Sequence, residues 1–337
     1  MTTRGVRPEQ PEPFLRGCAY PGTEGVPYPR ADPADAARLP GDTWAMAQLP
    51  VGVRLELVGD AEAVELSYTT VTDDLGYRGE GAGRYFSLWR GGLLVDEAPA
   101  VLGSGQVRLS MGDCLGPAEP AVIYLPEGMR PVVEVVKALG GRIDPAPGQP
   151  IWVAYGDSVA EGWIASGPAL AWPAIAGRQQ GLDVRNLGYA GAARGEVVSA
   201  EHVSALQADV ISISHGTNCW TRVPHSTGTM REALEAFLTV VRQGHPDIPV
   251  LVASPVIRPD AENTPNRLGA TLSELRAIME EVVGERMALG DTQLDLIPGA
   301  GLIGSEDLAD GIHPGDVGHQ KLASALGPSL SRRAKAA

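Results

Sequence analysis

The stretch Ile151-Trp-Val-Ala-Tyr-Gly-Asp-Ser-Val-Ala-Glu-Gly-Trp163 carries the clearest indication of the fold. Its first five residues are apolar or aromatic and uncharged, which predicts a buried strand. Gly156, Asp157 and Ser158 then break the strand, and open α/β sheets place their chemistry just beyond the carboxyl ends of such strands. Ser158 is therefore a candidate nucleophile. The alternative interpretation is structural, because an Asp-Ser pair also caps helices at their amino ends.

A second stretch, Asp310-Gly-Ile-His-Pro314, strengthens the catalytic interpretation. A carboxylate three residues before a histidine can lie at the same loop-to-helix junction and hold one ring nitrogen while the other faces a serine. On its own, this spacing also fits a surface turn with a capping aspartate. Combined with Ser158, it predicts Asp310 and His313 as the partners of a serine nucleophile.

Two further blocks follow predicted strands. Asn186-Leu-Gly-Tyr-Ala-Gly191 ends in a glycine whose backbone N–H can approach a ligand closely. His215-Gly-Thr-Asn218 places a side-chain amide where it could donate to a developing oxyanion. A glycine turn and a helix cap are the alternative interpretations of Gly191 and Asn218.

Together and in this order, the four blocks resemble the SGNH, or GDSL-type, serine hydrolase superfamily. The resemblance covers about the last half of the chain and implies a three-layer α/β/α domain with a mostly parallel sheet. It also implies that Ser158 is the nucleophile, His313 the base and Asp310 the residue that orients it. The backbone N–H groups of Ser158 and Gly191 and the Asn218 side chain would form the oxyanion hole.

The sequence departs from the family pattern at Val159, where leucine is usual, and at Cys219, where aspartate is frequent. Neither change removes a catalytic group, although the second could alter the pocket wall. Trp163, Trp220 and Arg222 flank the proposed site and are candidate substrate contacts; core packing is the alternative for the tryptophans. No His-Glu-x-x-His or other paired-ligand spacing occurs, so no catalytic metal is expected.

Composition limits the class of protein. The 337 residues carry a formal net charge of −14 without a basic stripe, which disfavours nucleic-acid binding. No apolar run is long enough to span a bilayer, so no membrane segment is expected. The amino terminus lacks the apolar core of a signal peptide, which favours a cytoplasmic location. Cys18, Cys114 and Cys219 form no even-numbered framework and are predicted to be reduced thiols.

Residues 1–143 are predicted to form an antiparallel β-sandwich, which by resemblance to some family members is a candidate substrate- or carbohydrate-binding domain. Short alternating segments separated by turn signals indicate at least six strands. The predicted strands are Val53–Val58, Ala63–Tyr68, Arg84–Trp89, Leu93–Val95, Val107–Ser110, Ala121–Tyr124 and Val132–Ala138, with a hairpin turn at Arg90–Gly92. Residues 144–150 contain three prolines and are predicted to be a linker.

Residues 151–337 change to an alternation of strands and helices. This pattern indicates a mostly parallel sheet with helices on both faces. The predicted strands are Ile151–Tyr155, Val184–Leu187, Val210–Ser214 and Val250–Ser254, and the predicted helices are Ala169–Gln180, Glu196–Leu206, Thr229–Gln243, Gly269–Leu289 and Asp316–Arg332.

These features predict acyl transfer through an acyl-Ser158 intermediate, because a neighbouring imidazole activates a serine hydroxyl. By resemblance to GDSL acyltransferases that modify polyketides, the preferred hypothesis is transfer of an acyl group from a thioester such as acyl-CoA to a hydroxyl of a small-molecule natural product. No bound cofactor is expected. An esterase or carbohydrate deacetylase is the alternative. A non-enzymatic glycan-binding protein is a second alternative, against which the intact Ser158, Asp310 and His313 argue.

Overall fold

The computed structural model describes residues 9–72, 83–112 and 116–334 and divides into two compact units. The first unit comprises the chain up to Pro29, Leu49–Gly148 and Ser166–Ala169, and the second comprises Arg30–Gln48, Gln149–Ala165 and the chain from Leu170 onward. Residues 30–48, predicted to belong to the first domain, lie in the second unit. Ion pairs join this segment to residues of the second unit that lie far along the chain. Contacts of this kind leave no local pattern in the sequence.

Two antiparallel sheets form the first unit. Its strands are β1 (Leu15–Arg16), β2 (Arg54–Gly59), β3 (Ala63–Thr70), β4 (Tyr85–Arg90), β5 (Leu93–Pro99), β6 (Gly103–Ser110), β7 (Ala121–Tyr124), β8 (Pro131–Leu139) and β9 (Ile143–Pro145). One sheet has the order β1-β2-β7-β4-β5, with β9 also pairing with β2, and the other has the order β6-β3-β8. Buried side chains from both sheets belong to one hydrophobic core, so the predicted antiparallel β-sandwich is confirmed.

Burial along the strands follows a period of two, as the sequence pattern predicts. In β3, Val64, Leu66 and Tyr68 are almost completely buried, while the residues between them are partly exposed. The β4–β5 hairpin turns at Gly91 and Gly92, whose φ angles of 54° and 79° suit a two-residue turn of type I′. The hairpin therefore lies where the sequence predicts it.

The predicted linker 144–150 overlaps a strand. Asp144 and Pro145 belong to β9, which pairs with the end of β2. Among the described residues β9 has β2 as its one partner strand, so a proline without an N–H is tolerated there. The irregular connection begins after Pro145.

A five-stranded parallel sheet forms the centre of the second unit. Its strands are β10 (Ile151–Gly156), β11 (Asp183–Gly188), β12 (Val210–Ser214), β13 (Val250–Ala253) and β14 (Leu294–Ile297), in the order β11-β10-β12-β13-β14. Its helices are α1 (Gly41–Ala47), α2 (Ser158–Glu161), α3 (Trp172–Gln180), α4 (Val197–Ala205), α5 (Thr217–Thr221), α6 (Thr227–Gly244), α7 (Leu272–Ala288) and α8 (Asp316–Ala334). The sequence analysis predicted neither β14 nor the short helices α1, α2 and α5.

Helices cover both faces of this sheet. On one face, Trp152 of β10 packs in a core cluster with Trp172 of α3 and Leu322 of α8. Successive strand residues point to opposite faces, and on the other face the Tyr155 ring lies 4.6 Å from the Phe237 ring of α6. The predicted three-layer α/β/α architecture is therefore confirmed.

Local signals explain where two of the long helices begin. Ser226 caps α6 by accepting a hydrogen bond from the Thr229 N–H at 3.1 Å. Thr271 and Glu274 form a capping box at the start of α7. In the part of the chain that is described, no helix is long and apolar enough to cross a bilayer.

Candidate active site

Three neighbouring strands of the parallel sheet end at the same level. Gly156 at the end of β10 pairs in register with Gly188 of β11 and with Ser214 of β12. Because the strands are parallel, the loops that follow them leave the sheet at one edge. The strand order reverses around β10, and such a switch point is where open sheets bind their ligands. The predicted nucleophile and the two other predicted oxyanion donors follow these strand ends within four residues.

Ser158, the predicted nucleophile, begins helix α2. Asp157 caps this helix, because its side chain accepts a hydrogen bond from the Val159 N–H at 3.0 Å. Ser158 therefore occupies the first helical position, and it is 4% exposed. The preceding turn requires a glycine, since a Cβ at Gly156 would lie 2.5 Å from the Ser214 carbonyl oxygen. The capping interpretation thus holds for Asp157 and leaves Ser158 available for chemistry.

Asp310 and His313 form a hydrogen-bonded pair. His313 Nδ1 lies 2.7 Å from Asp310 Oδ2, and Asp310 Oδ1 accepts hydrogen bonds from the backbone N–H groups of Ile312 and His313 at 2.9 and 2.7 Å. Partial burial acts to raise the pKa of Asp310, but the hydrogen bonds outweigh it and the pKa is lowered. An ionised Asp310 favours the tautomer with the proton on Nδ1, so Nε2 is the nitrogen that can accept a proton.

Trp163 lies beside this pair. The centroids of the Trp163 and His313 rings are 5.8 Å apart with an interplanar angle of 36°. The backbone N–H of Trp163 donates to the Ser158 carbonyl oxygen at 2.9 Å, which fixes the Trp163 backbone at the end of the helix that begins with Ser158. Trp163 therefore covers one side of the imidazole, consistent with its prediction as a residue of the site.

Gly191 and Asn218 contribute donors to the same region. Gly191 has a φ of 69°, in the left-handed region that favours glycine. The Asn218 Nδ2 atom donates to the Ala193 carbonyl oxygen at 3.2 Å, and the side chain is buried. An amide nitrogen carries two hydrogens, so this bond fixes the direction of the second one.

One pocket brings the predicted groups together. Its volume is about 190 Å³, and its described lining residues are Ser158, Trp163, Ala190, Gly191, Thr217, Asn218, Thr221, Arg222, Arg258, Ile312 and His313. The volume is smaller than the 300–1,000 Å³ typical of sites for drug-sized ligands. The described pocket is therefore of a size for a small group of atoms and not for a whole drug-sized ligand.

Two residues singled out in the sequence do not line this pocket. The Trp220 ring lies 4.9 Å beneath the guanidinium of Arg258, and its Nε1 donates to the Thr264 carbonyl oxygen at 2.8 Å. Cys219 is buried, with its Sγ 3.8 Å from the Arg194 carbonyl oxygen. Trp220 thus supports a pocket residue, and Cys219 changes the packing beneath the site, not its wall.

Cys18 and Cys219 are free thiols, whereas Cys114 lies outside the described residues. Burial raises the pKa of Cys219. Within the described ranges, no group of three or more His, Cys, Asp or Glu side chains is arranged to hold a metal ion.

A second, larger depression lies between α6 and α7. It has a volume of about 910 Å³ and is lined by Val197, Glu232, Glu235, Ala236, Thr239, Val240, Val282, Glu285, Arg286, Leu289 and Asp291. It is wide open, and none of the predicted catalytic residues lies in it. The smaller pocket is the candidate active site because the predicted nucleophile, the predicted base and the predicted oxyanion donors line it.

Arg30 is a residue of the site region that sequence reasoning missed. Its Nη2 lies 3.2 Å from Glu161 Oε2, and the two side chains are 1% and 0% exposed. Arg30 Nη1 donates to the Gly188 carbonyl oxygen. The same Glu161 oxygen accepts a hydrogen bond from the Ala190 N–H at 2.9 Å. The buried pair therefore holds the chain on both sides of Tyr189, just before Gly191.

A second ion pair holds the far end of the same loop. Arg194 donates through Nη1 and Nη2 to the two carboxylate oxygens of Asp42, at 2.8 and 3.0 Å. The Glu196 carboxylate accepts hydrogen bonds from the Tyr155 hydroxyl at 3.0 Å and from the Arg194 N–H at 3.2 Å. Residues 30–48 thus hold the loop between β11 and α4 at two points.

One signal could have drawn attention to this arrangement. Glu161 stands among small and apolar residues three positions after the nucleophile, where a helix packed on a sheet rarely tolerates an unpaired charge. The sequence contains no indication that Arg30 is its partner.

The remaining histidines lie outside this pocket. His215 is buried beside Tyr155, His225 Nδ1 lies 2.9 Å from the Val223 carbonyl oxygen, and His202 Nε2 lies 3.2 Å from Asp35. Burial lowers the pKa of His215 to about 3 and that of His319 to about 4. Of the described histidines, His313 is the one that lines the pocket.

The fold is similar to those of solved enzymes. A salicylyl-acyltransferase, SsfX3, from a tetracycline biosynthetic pathway matches with 24% identity over 96% of both chains and a TM-score of 0.81. A putative GDSL-like lipase from Bacteroides ovatus matches with 20% identity over 98% of both chains and a TM-score of 0.80. An acetyl xylan esterase from the rumen bacterium Butyrivibrio proteoclasticus matches with 14% identity over 97% of this chain and 98% of that one, with a TM-score of 0.65.

No curated protein matches this sequence. Residues 149–331 match the GDSL-like lipase/acylhydrolase family. Since this match spans more than half of the chain and includes every residue of the predicted triad, the protein belongs to the GDSL-like lipase/acylhydrolase family.

Proposed function

We propose that this protein is a serine acyltransferase that moves an acyl group from a thioester such as acyl-CoA to a hydroxyl of a small-molecule natural product. The observation that carries the proposal is the 190 Å³ pocket lined by Ser158, Gly191, Asn218 and His313. The Asp310–His313 hydrogen bond of 2.7 Å supplies the third member of a triad. In the proposed roles, Ser158 is the nucleophile and His313 is the base, with Asp310 as its orienting carboxylate. Gly191 and Asn218 provide donors for an oxyanion.

In the first half of the proposed reaction, Ser158 Oγ attacks the thioester carbonyl and its proton moves to His313 Nε2. The new O–C bond turns the carbonyl oxygen into an oxyanion, which the N–H groups of Ser158 and Gly191 and the Asn218 amide stabilise. The oxyanion collapses, the C–S bond breaks, and the leaving thiolate takes the proton from His313. Asp310 stabilises the imidazolium that forms in between.

In the second half, the acceptor hydroxyl gives its proton to His313 Nε2 and attacks the acyl-Ser158 ester. A second tetrahedral oxyanion collapses, the product ester leaves and Ser158 regains its proton. Water is the competing acceptor. An alcohol overcomes the excess of water by binding next to the acyl group, since well-oriented reactants reach effective molarities of about 10⁵–10⁸ M.

The choice of acceptor rests on resemblance. A fold shared along 96% of the chain with a salicylyl-acyltransferase supports transfer, and the fold shared with an acetyl xylan esterase supports hydrolysis as the second candidate. The two candidates have the same acyl-Ser158 intermediate and differ in what removes the acyl group.

The test is to incubate the protein with a panel of acyl-CoA thioesters and measure its intact mass with and without polycyclic or sugar-like alcohols. We expect an acyl adduct that is missing in Ser158→Ala and that an alcohol discharges as an ester. Rapid hydrolysis that no alcohol diverts would establish the esterase. If fluorophosphonate labels neither Ser158 nor any other residue, the protein is a binding protein.

A further inference from the structure

The described charged side chains that line the candidate active site are positive, whereas the chain as a whole is strongly acidic. The formal net charge of the protein is −14. Among the described residues that line the pocket, none is a carboxylate, and two, Arg222 and Arg258, carry guanidinium groups. Positive side chains in a cleft attract anions, because the low-dielectric walls of the cleft concentrate the field of the charges that line it.

The two arginines differ in how their charge is compensated. Arg258 donates through Nε and Nη2 to the two carboxylate oxygens of Asp260 at 2.8 and 2.9 Å, and it covers the Trp220 ring. Arg222 is exposed, and none of the described side chains forms an ion pair or hydrogen bond with its guanidinium. The uncompensated positive charge of the pocket therefore belongs to Arg222.

Arg222 lies close to the reacting end of the pocket. Its Nη2, Nε and Cζ atoms lie 3.4, 3.5 and 3.6 Å from the point where a Cβ of Gly191 would stand. The guanidinium is thus packed flat against the glycine whose N–H is a proposed oxyanion donor. With the scissile carbonyl at the Gly191 N–H, as the proposed reaction requires, an anion on Arg222 lies within a few bonds of that carbonyl. The phosphates of CoA lie at the far end of the pantetheine arm and do not meet this condition.

We propose that Arg222 binds a carboxylate carried by the acyl group, so that the preferred donor is the thioester of a short dicarboxylic acid. The planar guanidinium matches a carboxylate through two parallel hydrogen bonds, and such charge-assisted bonds are the stronger class. The inference rests on the proposed function, because it assigns the acyl group to the space beside Gly191.

Malonyl and isovaleryl thioesters test the inference, because the two acyl groups have the same shape and number of non-hydrogen atoms and differ in charge. Each is supplied on CoA and on N-acetylcysteamine, which lacks the phosphates. The rate of thiol release gives kcat/KM for acylation. We expect a preference for malonyl on the order of 10- to 100-fold with either carrier, the range that a charge-assisted hydrogen bond supplies.

Arg222→Gln should abolish this preference by lowering kcat/KM for malonyl alone. Arg258→Gln is the matched control: it removes the compensated arginine of the same pocket, and the malonyl preference should remain. An equal loss for malonyl and isovaleryl in Arg222→Gln would make Arg222 a general oxyanion donor and overturn the inference. A wild-type preference seen with CoA and lost with N-acetylcysteamine would also overturn it, because the anion would then be a phosphate.

A binding measurement separates this inference from the proposed function. Ser158→Ala lacks the nucleophile, so calorimetric titration with the same N-acetylcysteamine thioesters reports affinity without turnover. Tighter binding of malonyl in Ser158→Ala, lost when Arg222→Gln is added, supports the carboxylate site even if the wild-type protein transfers no acyl group. Equal affinities in Ser158→Ala would overturn it even if acyl transfer is found.

Discussion

Two acid–base pairs of the second unit occupy opposite environments. In the Asp310–His313 pair, the side chains are 37% and 16% exposed, whereas in the Arg30–Glu161 pair they are 1% and 0% exposed. The first pair is open to solvent, so a molecule in the pocket can reach His313. The second pair is removed from water and stays formed, because separating its charges would leave each of them unpaired in a low-dielectric interior. One pair is suited to chemistry and the other to holding the loop before Gly191.

The largest effect is expected at the exposed pair and its nucleophile. Ser158→Ala and His313→Ala should each lower kcat by about a million-fold, and Asp310→Ala by about ten-thousand-fold, because a triad acts as a unit. Circular dichroism and the midpoint of urea unfolding should remain near the wild-type values. Inactivation by His225→Ala with a tolerated His313→Ala would show that the base is His225.

The next effect is expected at the buried pair. Arg30→Ala leaves Glu161 buried without its cation, so the free energy of unfolding should fall by about 3–5 kcal/mol in urea titrations. Arg38→Ala is the matched control in the same segment. The guanidinium of Arg38 is half exposed in its ion pairs with Asp35 and Glu201, so its loss should cost less than about 1 kcal/mol.

A double variant sharpens this prediction. Arg30→Met combined with Glu161→Gln removes both charges and keeps an amide oxygen for the Ala190 N–H. Most of the lost stability should return, since replacing a buried ion pair with neutral groups is often neutral or stabilising. If the double variant is no more stable than Arg30→Ala, the unpaired charge of Glu161 is not the cause of the loss.

Asn218→Ala probes the region that both pairs adjoin. Loss of one oxyanion donor should raise the acylation barrier by about 2.7–4 kcal/mol, while KM changes little. The measurement is kcat and KM for a simple aryl ester. A raised KM at unchanged kcat would assign Asn218 to binding of the ground-state substrate.

The smallest effect concerns buried histidines outside both pairs. Burial lowers the pKa of His215 to about 3 and that of His319 to about 4, against about 6.5 for a histidine in an unfolded chain. The unfolded state therefore binds protons that the folded state does not. Stability is fully present above about pH 6.5 and is lost as the pH falls toward these lowered values.

From pH 7 to pH 5, each of the two histidines should cost about 2 kcal/mol of unfolding free energy. Urea unfolding of wild type and His215→Leu at both pH values checks this, and the variant should lose less stability than the wild type. An identical loss in the two proteins would assign the pH dependence to other groups.

The residues near the strand ends could be predicted because their signals are local. Ser158, Gly191 and Asn218 each follow a strand within four residues, and the parallel register brings the strand ends together. The strands of the sandwich and helix α6 could be predicted for the same reason, since their periods of 2 and 3.6 residues are visible in a short window.

The remaining features depend on contacts between distant residues. Arg30 and Glu161 are 131 positions apart, and no motif surrounds Arg30. Strand β14, Leu294–Ile297, is interrupted by Asp295 and lacks the continuous apolar run of the equally short β7 and β13; its pairing with β13 defines it. Arg222 was a candidate contact by proximity alone, and its lack of a carboxylate partner among the described residues emerges only from the folded chain.

The division of the second unit along the chain has a consequence for its synthesis. Residues 30–48 leave the ribosome before the strands and loops that they hold, and Glu161 follows Arg30 by 131 positions. At a synthesis rate of about 5–20 residues per second, Glu161 is made roughly 7–26 s after Arg30. Residues 49–148 can fold during that interval as an insertion, while the segment before them remains unassembled. A shortened chain that starts at Pro150 never receives this segment and should be the form that a protease removes first.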